Sequence, residues 1–260
     1  MEEWVKLSTN FFNNHVNSFS NLSEEQVMNF AIKREHSFRV AEISGVLATA
    51  LQLGNQDKKI AWLSGLFHDI GRFTQLVDHN TFNDSKSLNH AELSTEVLRK
   101  EEIFQKIDCD EDELIYTAIV LHNKFELPKK LSERQLLHAR LLRDADKMDI
   151  LKVLTDYYSD RNGTPNHTLT WELPKGIEVS PAVKKEVLAG KLVMKQDVVS
   201  EIDVKIMQLS WVYDINFKPT FEYLLRNRFL EKIYNTLPKK DIIIDIYRKV
   251  KVFAENKLLD

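Results

Sequence analysis

Apolar side chains recur every three to four residues along most of the chain, which is the spacing of an amphipathic helix. In one such segment Val40, Ile43 and Leu47 share a face, and the pattern stops near Gly54, a residue type common just after a helix end. Helices are predicted over residues 24–33, 36–53, 57–70, 89–100, 110–122, 132–158, 197–213, 220–235 and 240–258, with a short one after Ser180. The hydrophobic pattern therefore predicts an all-α fold.

Polar and turn-forming residues separate these segments. Ser23 and Asn89 are expected to act as N-caps, and Pro181 to occupy the first turn of its helix. Segment 78–88 is rich in Asn, Asp and Ser and predicts a loop. A weak alternation over 168–179 favours a short hairpin, so that strand content is expected to be minimal.

The chain is expected to form one domain over residues 1–260. The residues best suited to bind a metal lie within about 30–160, and the later part adds only His167, in a loop. Because composition does not change between the two parts, the helices of 180–260 are predicted to pack on the core and wall the site.

Composition narrows the classes of function. The net charge of −3 carries no basic excess, and so does not indicate nucleic acid binding. Cys109 is the single cysteine and has no partner for an internal disulfide, which favours a reduced, cytoplasmic setting. No secretory signal is evident, and no apolar stretch approaches the ~20 residues that span a bilayer. The glycine-rich phosphate loops of common nucleotide-binding folds are missing.

Candidate chemistry centres on the dipeptide His68-Asp69, which ends an apolar helical segment. Four residues on other helical segments could join it: His36, His90, His122 and Asp146. Four imidazoles and two carboxylates suit Fe, Mn, Co or Zn better than Ca or Mg. Asp69 is the natural bridging ligand between two such metals, which would acidify a bound water.

In this interpretation His36 and Asp146 complete the first metal site, and His90 and His122 supply the second. From the residues alone, a metal site and a set of structural histidines are about equally supported. The remaining histidines are expected to be capping or surface residues: His15, His79, His138 and His167.

Three segments resemble a known family. They are His36-Ser-Phe-Arg-Val40, Gly65-Leu-Phe-His-Asp-Ile-Gly-Arg72 and Asp144-Ala-Asp-Lys-Met148. Their order is similar to the H…HD…D order of the HD-domain superfamily of metal-dependent phosphohydrolases. The resemblance implies an HD-domain helical bundle with additional C-terminal helices. It also implies that His36, His68, Asp69 and Asp146 are metal ligands, with Asp146 favoured over Asp144 by its Ala-Asp-Lys context.

His90 and His122 fall where dinuclear branches of the superfamily place two more ligands, such as the HD-GYP phosphodiesterases and the diadenosine-tetraphosphate hydrolases. The chain departs from the HD-GYP pattern because Asn-Lys, and no Gly-Tyr-Pro, follows His122. This departure weakens the case for cyclic-di-GMP as the substrate. We expect two divalent metals, and hydrolysis of a phosphoester or phosphoanhydride in a nucleotide-like small molecule.

Basic residues near the motifs are candidates for binding the substrate phosphate. Arg72 is the first choice and is also expected to be catalytic together with Asp69; Lys86 and Lys147 follow. Arg39 is as well placed to hold a carboxylate as a phosphate. Two other functions stay open, namely an HD-fold diiron oxygenase and a nucleotide-binding signalling module. A homodimer is compatible with the sequence, which leaves the oligomeric state open.

Overall fold

The computed structural model describes residues 2–107, 109–159 and 173–259, and all regular structure within them is helical, as the sequence predicted. The chain divides into two compact units, Met1–Asp146 and Lys147–Asp260. The helices of the first unit are α1 (Glu3–Asn17), α2 (Glu24–Ala50), α3 (Asn55–Phe67), α4 (Gly71–His79), α5 (His90–Lys100), α6 (Ile103–Lys106) and α7 (Asp112–His122), with a 3-10 turn at Asp84–Lys86. The boundary between the two units falls within helix α8 (Glu133–Ser159).

Helix α2 is longer than the sequence pattern predicted. The segments 24–33 and 36–53 form one continuous helix, because the residues between them are ordinary helix formers. Ser23 caps it as expected, in a capping box with Gln26. The prediction for Gly54 was wrong. Gln52 takes the left-handed conformation after α2 (φ 56°), and Gly54 is the N-cap of α3.

Three helices of the first unit were absent from the prediction, namely α1, α4 and the four-residue α6. Helix α4 begins at Gly71, which the sequence identified only as part of the motif segment 65–72. Gly71 instead marks a close helix contact: a Cβ there would lie 2.4 Å from the backbone N of Ser94 and 2.6 Å from the carbonyl O of His90. Helices α4 and α5 are therefore in backbone contact next to the predicted site.

Two contacts fix the positions of the histidine-bearing helices. Ser94 Oγ accepts a hydrogen bond from Gly71 N (2.9 Å) and lies 2.8 Å from the carbonyl O of His68, tying the turn after α3 to helix α5. Gly65 lets α3 approach α2, since a Cβ at Gly65 would lie 2.7 Å from Ala41 Cα. The absence of a side chain at Gly65 and Gly71 thus sets the spacing of two helix pairs, α2 with α3 and α4 with α5.

The second unit contains α9 (Pro181–Leu188), α10 (Glu201–Ser210), α11 (Lys218–Arg226), α12 (Phe229–Asn235) and α13 (Asp241–Asn256). Pro181 starts α9 as predicted. The predicted helix 220–235 is interrupted at Arg228, which adopts the left-handed conformation with φ 56°. The predicted segment 197–213 begins at the last residue of a 3-10 turn (Lys195–Asp197) and contains α10 and most of a second 3-10 turn (Trp211–Asp214).

Part of the predicted hairpin at 168–179 lies outside the described residues, and 173–179 contains no strand. Packing of the later helices on the earlier ones stays a prediction. Within the described ranges, we find no helix with both the length and the apolar character needed to cross a membrane.

Candidate metal centre

The six predicted ligands converge within the first unit. His36 lies in the middle of α2, and His68 and Asp69 follow the last turn of α3. His90 is the first residue of α5, His122 is the last residue of α7, and Asp146 lies within α8. The first five are buried, and the side chain of Asp146 is 16% exposed. Binding of a metal by these six residues stays a prediction, but the fold brings them together.

One half of the cluster surrounds Asp69 Oδ2. The Nε2 atoms of His36 and His68 lie 3.2 Å apart, and each lies 3.6 Å from Asp69 Oδ2. Asp146 Oδ1 is 3.2 Å from His36 Nε2 and 3.7 Å from His68 Nε2. Two imidazole nitrogens and two carboxylate oxygens therefore converge on one small volume, which is a donor set typical of a first-row transition metal.

The other half of the cluster surrounds Asp69 Oδ1. The Nε2 atoms of His90 and His122 lie 3.0 Å apart, and His90 Nε2 is 3.4 Å from Asp69 Oδ1. The rings of His68 and His122 meet edge to face, with centroids 5.1 Å apart, which joins the two halves. Asp69 thus presents one oxygen to each half, as a bridging carboxylate does.

Hydrogen bonds on the far side of three rings fix their tautomers. Nδ1 of His68 lies 2.7 Å from Gly65 O, and Nδ1 of His122 lies 2.6 Å from Ile119 O. A carbonyl oxygen only accepts, so each Nδ1 carries the proton and each neutral ring turns a lone pair on Nε2 toward the cluster. His90 Nδ1 lies 2.7 Å from Asp84 Oδ2, which sets the same tautomer.

These tautomers provide a test of whether a metal fits. The bare Nε2 atoms of His90 and His122 face each other at 3.0 Å, where two acceptors repel. Arg72 Nη2 donates to His90 Nε2 at 3.3 Å, while the buried Asp69 Oδ1 has no hydrogen-bond partner. Several lone pairs of the cluster thus converge with few hydrogen-bond donors to satisfy them, and bound cations would satisfy them instead. The residues present are therefore suited to the metals that the sequence predicts.

Electrostatics keep the cluster in the form that binds a metal. Burial lowers the pKa of His68, His90 and His122, and that of His122 falls to about 3. Burial by itself raises the pKa of Asp69, but the charge of Lys33 and the neighbouring basic groups outweigh it and hold that pKa well below its usual range. Neutral imidazoles beside ionised carboxylates are what metal binding requires.

Two cations flank Asp69. Lys33 Nζ lies 2.7 Å from Asp69 Oδ2, and Arg72 Nε lies 3.4 Å from Asp69 Oδ1. Both also lie over the Phe82 ring, at 5.6 and 5.8 Å from its centroid. Arg72 was named by the sequence, whereas Lys33 was missed. The signal available was its spacing, since it precedes His36 by three residues and so shares its helix face.

The other predicted basic residues are placed differently. Lys147 Nζ pairs with Asp214 Oδ2 at 2.6 Å within the second unit. Lys86 is exposed on the 3-10 turn, and in the described part of the chain it makes no hydrogen bond or ion pair with the six predicted ligands. Arg39 pairs with Glu35 at 3.5 Å.

A polar network behind His90 was also missed. Asp84 Oδ1 accepts hydrogen bonds from Arg72 Nη1 and Gln75 Nε2, each at 3.0 Å, while its Oδ2 faces His90. Asn123 Nδ2 donates to Asn89 Oδ1 at 3.0 Å. The sequence signal was a polar loop immediately before a helix that opens on a candidate ligand.

The remaining histidines lie apart from this cluster in the described structure. His138 is buried, with Nε2 2.9 Å from Asp57 Oδ1, and has a structural role rather than a surface position. His15 packs edge to face on Phe19, and His79 is exposed at the end of α4. His167 lies outside the described residues.

Comparison with known proteins agrees with the geometry. Residues 34–151 match the family model described as HD domain, a span that contains all six predicted ligands. Neither the curated proteins nor the solved structures include a significant match to this chain. Residues 34–151 thus form an HD domain, and this match supports the HD-domain superfamily of metal-dependent phosphohydrolases as the family of that segment.

Proposed function

We propose that this HD-domain protein hydrolyses a phosphoester or phosphoanhydride bond in a nucleotide-like small molecule, using two divalent metals held by the six-residue cluster. The observation that carries the proposal is the position of Asp69. It is buried, presents one oxygen to each pair of histidines, and has a cation beside each oxygen. This arrangement suits a dinuclear site that receives an anionic substrate.

The donor set determines which metals are proposed. His36, His68 and Asp146 would hold one ion and His90 and His122 the other, with Asp69 between them. Nitrogen-rich sites of this kind suit Fe, Mn, Co or Zn. When bound, such ions supply Lewis acidity that activates water and offsets charge on a phosphoryl group.

Arg72 is proposed to bind the phosphoryl group of the substrate. Its Nη1 is fixed by acceptors on Gln75 (2.8 Å), Phe82 (2.6 Å) and Asp84 (3.0 Å). Its Nη2 and Nε remain on the side of His90 and Asp69. A guanidinium that is held in place on one edge binds a phosphate with little loss of side-chain entropy. Lys86 and Lys147 have weaker support, because one is exposed and the other pairs with Asp214.

Burial of the cluster would contribute to catalysis by providing a site of low polarity. His68 is fully buried and Asp69 nearly so, which excludes bulk water and strengthens each charge–charge interaction at the site. The side chain of Asp146, 16% exposed, marks the side from which substrate would enter. The nucleotide part of the proposal rests on the family resemblance.

The test is metal analysis of anaerobically purified protein, followed by a panel of nucleotides and cyclic dinucleotides assayed under argon. Release of phosphate or a nucleoside monophosphate under argon supports the hydrolase. Turnover only with dioxygen and reduced iron would instead identify an oxygenase. Nucleotide binding without turnover by metal-loaded protein would indicate a binding module.

A further inference from the structure

Lys33 occupies an unusual position for a residue outside the ligand set. Its ammonium lies 2.7 Å from Asp69 Oδ2, the oxygen that also faces His36 and His68 at 3.6 Å. The Lys33 side chain is 20% exposed, whereas that of Asp69 is 3% exposed. The ammonium therefore neutralises a buried carboxylate while keeping a route to solvent.

A metal in this half of the cluster would compete with Lys33. Asp69 Oδ2 has one ammonium within hydrogen-bond distance, and a dication held by His36, His68 and Asp146 would repel that ammonium at close range. Lysine is a flexible cation whose head group moves readily, unlike the guanidinium of Arg72, which is fixed by three acceptors. Metal loading is thus expected to release Lys33 but not Arg72.

The released ammonium stays near the same site. Lys33 and Arg72 approach the Phe82 ring, at 5.6 and 5.8 Å from its centroid, and each is partly exposed. Both cations lie next to Asp69, on its two different oxygens. A phosphoryl group that binds beside Arg72 would therefore lie within reach of Lys33.

We propose that Lys33 is an exchangeable counter-ion: it neutralises Asp69 when no metal is bound, and it contacts the substrate phosphoryl group once metals occupy the site. The inference rests on the proposed function and adds a specific phosphate-binding residue to it. It assigns Lys33 opposite effects on two ligands. Lys33 weakens metal binding by competing for Asp69, and strengthens phosphate binding to the metal-loaded protein.

The experiment compares wild-type protein with Lys33→Met in two calorimetric titrations. In the first, Mn²⁺ is added to metal-free protein, and the variant should bind the first ion about fivefold more tightly because a competing ion pair is gone. In the second, inorganic phosphate is added to Mn²⁺-loaded protein, and the variant should bind about tenfold more weakly because a charge-assisted hydrogen bond is lost.

Arg34→Met is the matched control, because Arg34 is the adjacent cation on the same helix, is exposed, and donates to Asn13 Oδ1 at 2.9 Å. It should leave both affinities unchanged. Lys33→Gln, which keeps a polar side chain, repeats the test if Lys33→Met does not fold. Circular dichroism of each variant establishes that it is folded.

The outcomes separate this inference from the proposed function. Unchanged or weaker Mn²⁺ binding by the folded Lys33 variants would overturn the inference, as would unchanged phosphate binding, and either result leaves the dinuclear hydrolase standing. Wild-type protein that binds no divalent metal would overturn the proposed function, and this inference with it.

Discussion

Asp84 Oδ2 lies 2.7 Å from Nδ1 of His90, and the Nε2 atom of that ring points at His122 and Asp69. The carboxylate therefore orients a predicted ligand from behind. It is itself held by Gln75 and Arg72 through its other oxygen. Outer carboxylates of this kind fix the tautomer and ring orientation of a histidine that binds a metal.

Asp84→Ala should selectively lower the affinity for the second metal, in the half of the cluster with His90 and His122, by about 10- to 100-fold. The reason is that His90 loses the acceptor that orients it. The affinity for the first metal should change little, since no ligand in that half contacts Asp84 among the described contacts. Equilibrium dialysis against Mn²⁺ measures both affinities.

Asp84→Asn keeps an acceptor for His90 Nδ1 and should restore most of the affinity that Asp84→Ala loses. Asp78→Ala is the matched control, since it removes a carboxylate from an exposed position near the end of α4. Equal affinity of Asp84→Ala and wild-type protein for a second ion would show that Asp84 does not position His90.

Asp69→Ala should abolish metal retention and activity while the chain still folds. The carboxylate contacts both halves of the cluster, so neither half keeps its ligand set without it. The free energy of unfolding should change by no more than about 2 kcal/mol, because the partly exposed Lys33 can turn to solvent and Arg72 keeps its acceptors on Gln75, Phe82 and Asp84. Metal content after desalting and a urea titration measure the two effects. Full turnover by this variant on a confirmed substrate would refute the metal-hydrolase proposal.

The hydrophobic period of the sequence predicted the helical class, and the family resemblance predicted that the candidate ligands lie together. A ligand near a helix end, as His68, His90 and His122 are, is identified by the hydrophobic period of its own helix. The convergence of distant helices is not encoded in local periodicity. The family order His36, His68-Asp69, Asp146 supplied that information, and the structure places these residues together.

Features that depend on tertiary contacts could not be predicted from the sequence. Helix α4 has an apolar stripe too short to be distinguished from a loop, and it is fixed by the backbone contact of Gly71 with Ser94. Lys33 resembles any surface lysine until helix α3 brings Asp69 beside it. Asp84 resembles any loop aspartate until His90 reaches it. In each case the partner lies on another element, where no local pattern marks it.

Gly71→Ala should destabilise the protein by about 1–3 kcal/mol, since a methyl group 2.4 Å from Ser94 N forces α4 and α5 apart. The same displacement moves the His68 turn and His90, so metal affinity should fall as well. Gly54→Ala is the control, because a Cβ there meets nothing within 4 Å and only the weaker N-cap of α3 should lower stability, by less than about 1 kcal/mol. Urea denaturation compares them. Equal stability of the two variants would contradict the close contact.

Metal-free protein should lose stability as the pH falls below 6.5. Burial, with the neighbouring His90 and His68, lowers the pKa of His122 from 6.5 to about 3 in the folded state. The unfolded chain therefore binds a proton on this residue between those values while the folded chain does not, which favours unfolding. The stability associated with neutral His122 is complete above pH 6.5 and falls by about 1.4 kcal/mol per pH unit below it.

Urea titrations of wild-type protein and His122→Phe between pH 7 and 5 isolate this effect. The buried, uncharged replacement should reduce the slope of stability against pH, even if its absolute stability differs. Identical slopes would show that protonation of His122 does not contribute to acid sensitivity over this range.

The number of bound metals distinguishes a dinuclear site from a mononuclear site with four ligands. This number depends on whether His90 and His122 bind a metal. Their Nε2 atoms face each other at 3.0 Å with both protons directed away from the cluster, which leaves them suited to one cation. The double variant His90→Ala/His122→Ala should keep one metal per chain, because His36, His68, Asp69 and Asp146 are untouched. Its rate should fall by orders of magnitude, since one of two charges acting on the phosphoryl group is lost.

Elemental analysis of dialysed protein counts the metals, and single-turnover kinetics on a confirmed substrate measures the rate. His15→Ala/His79→Ala is the control for the loss of two imidazoles, because neither residue lies in the cluster. It should retain two metals and the wild-type rate. Wild-type protein that saturates at a single metal, with an unchanged rate in the His90/His122 variant, would show the site to be mononuclear and these two histidines to serve the substrate or the fold.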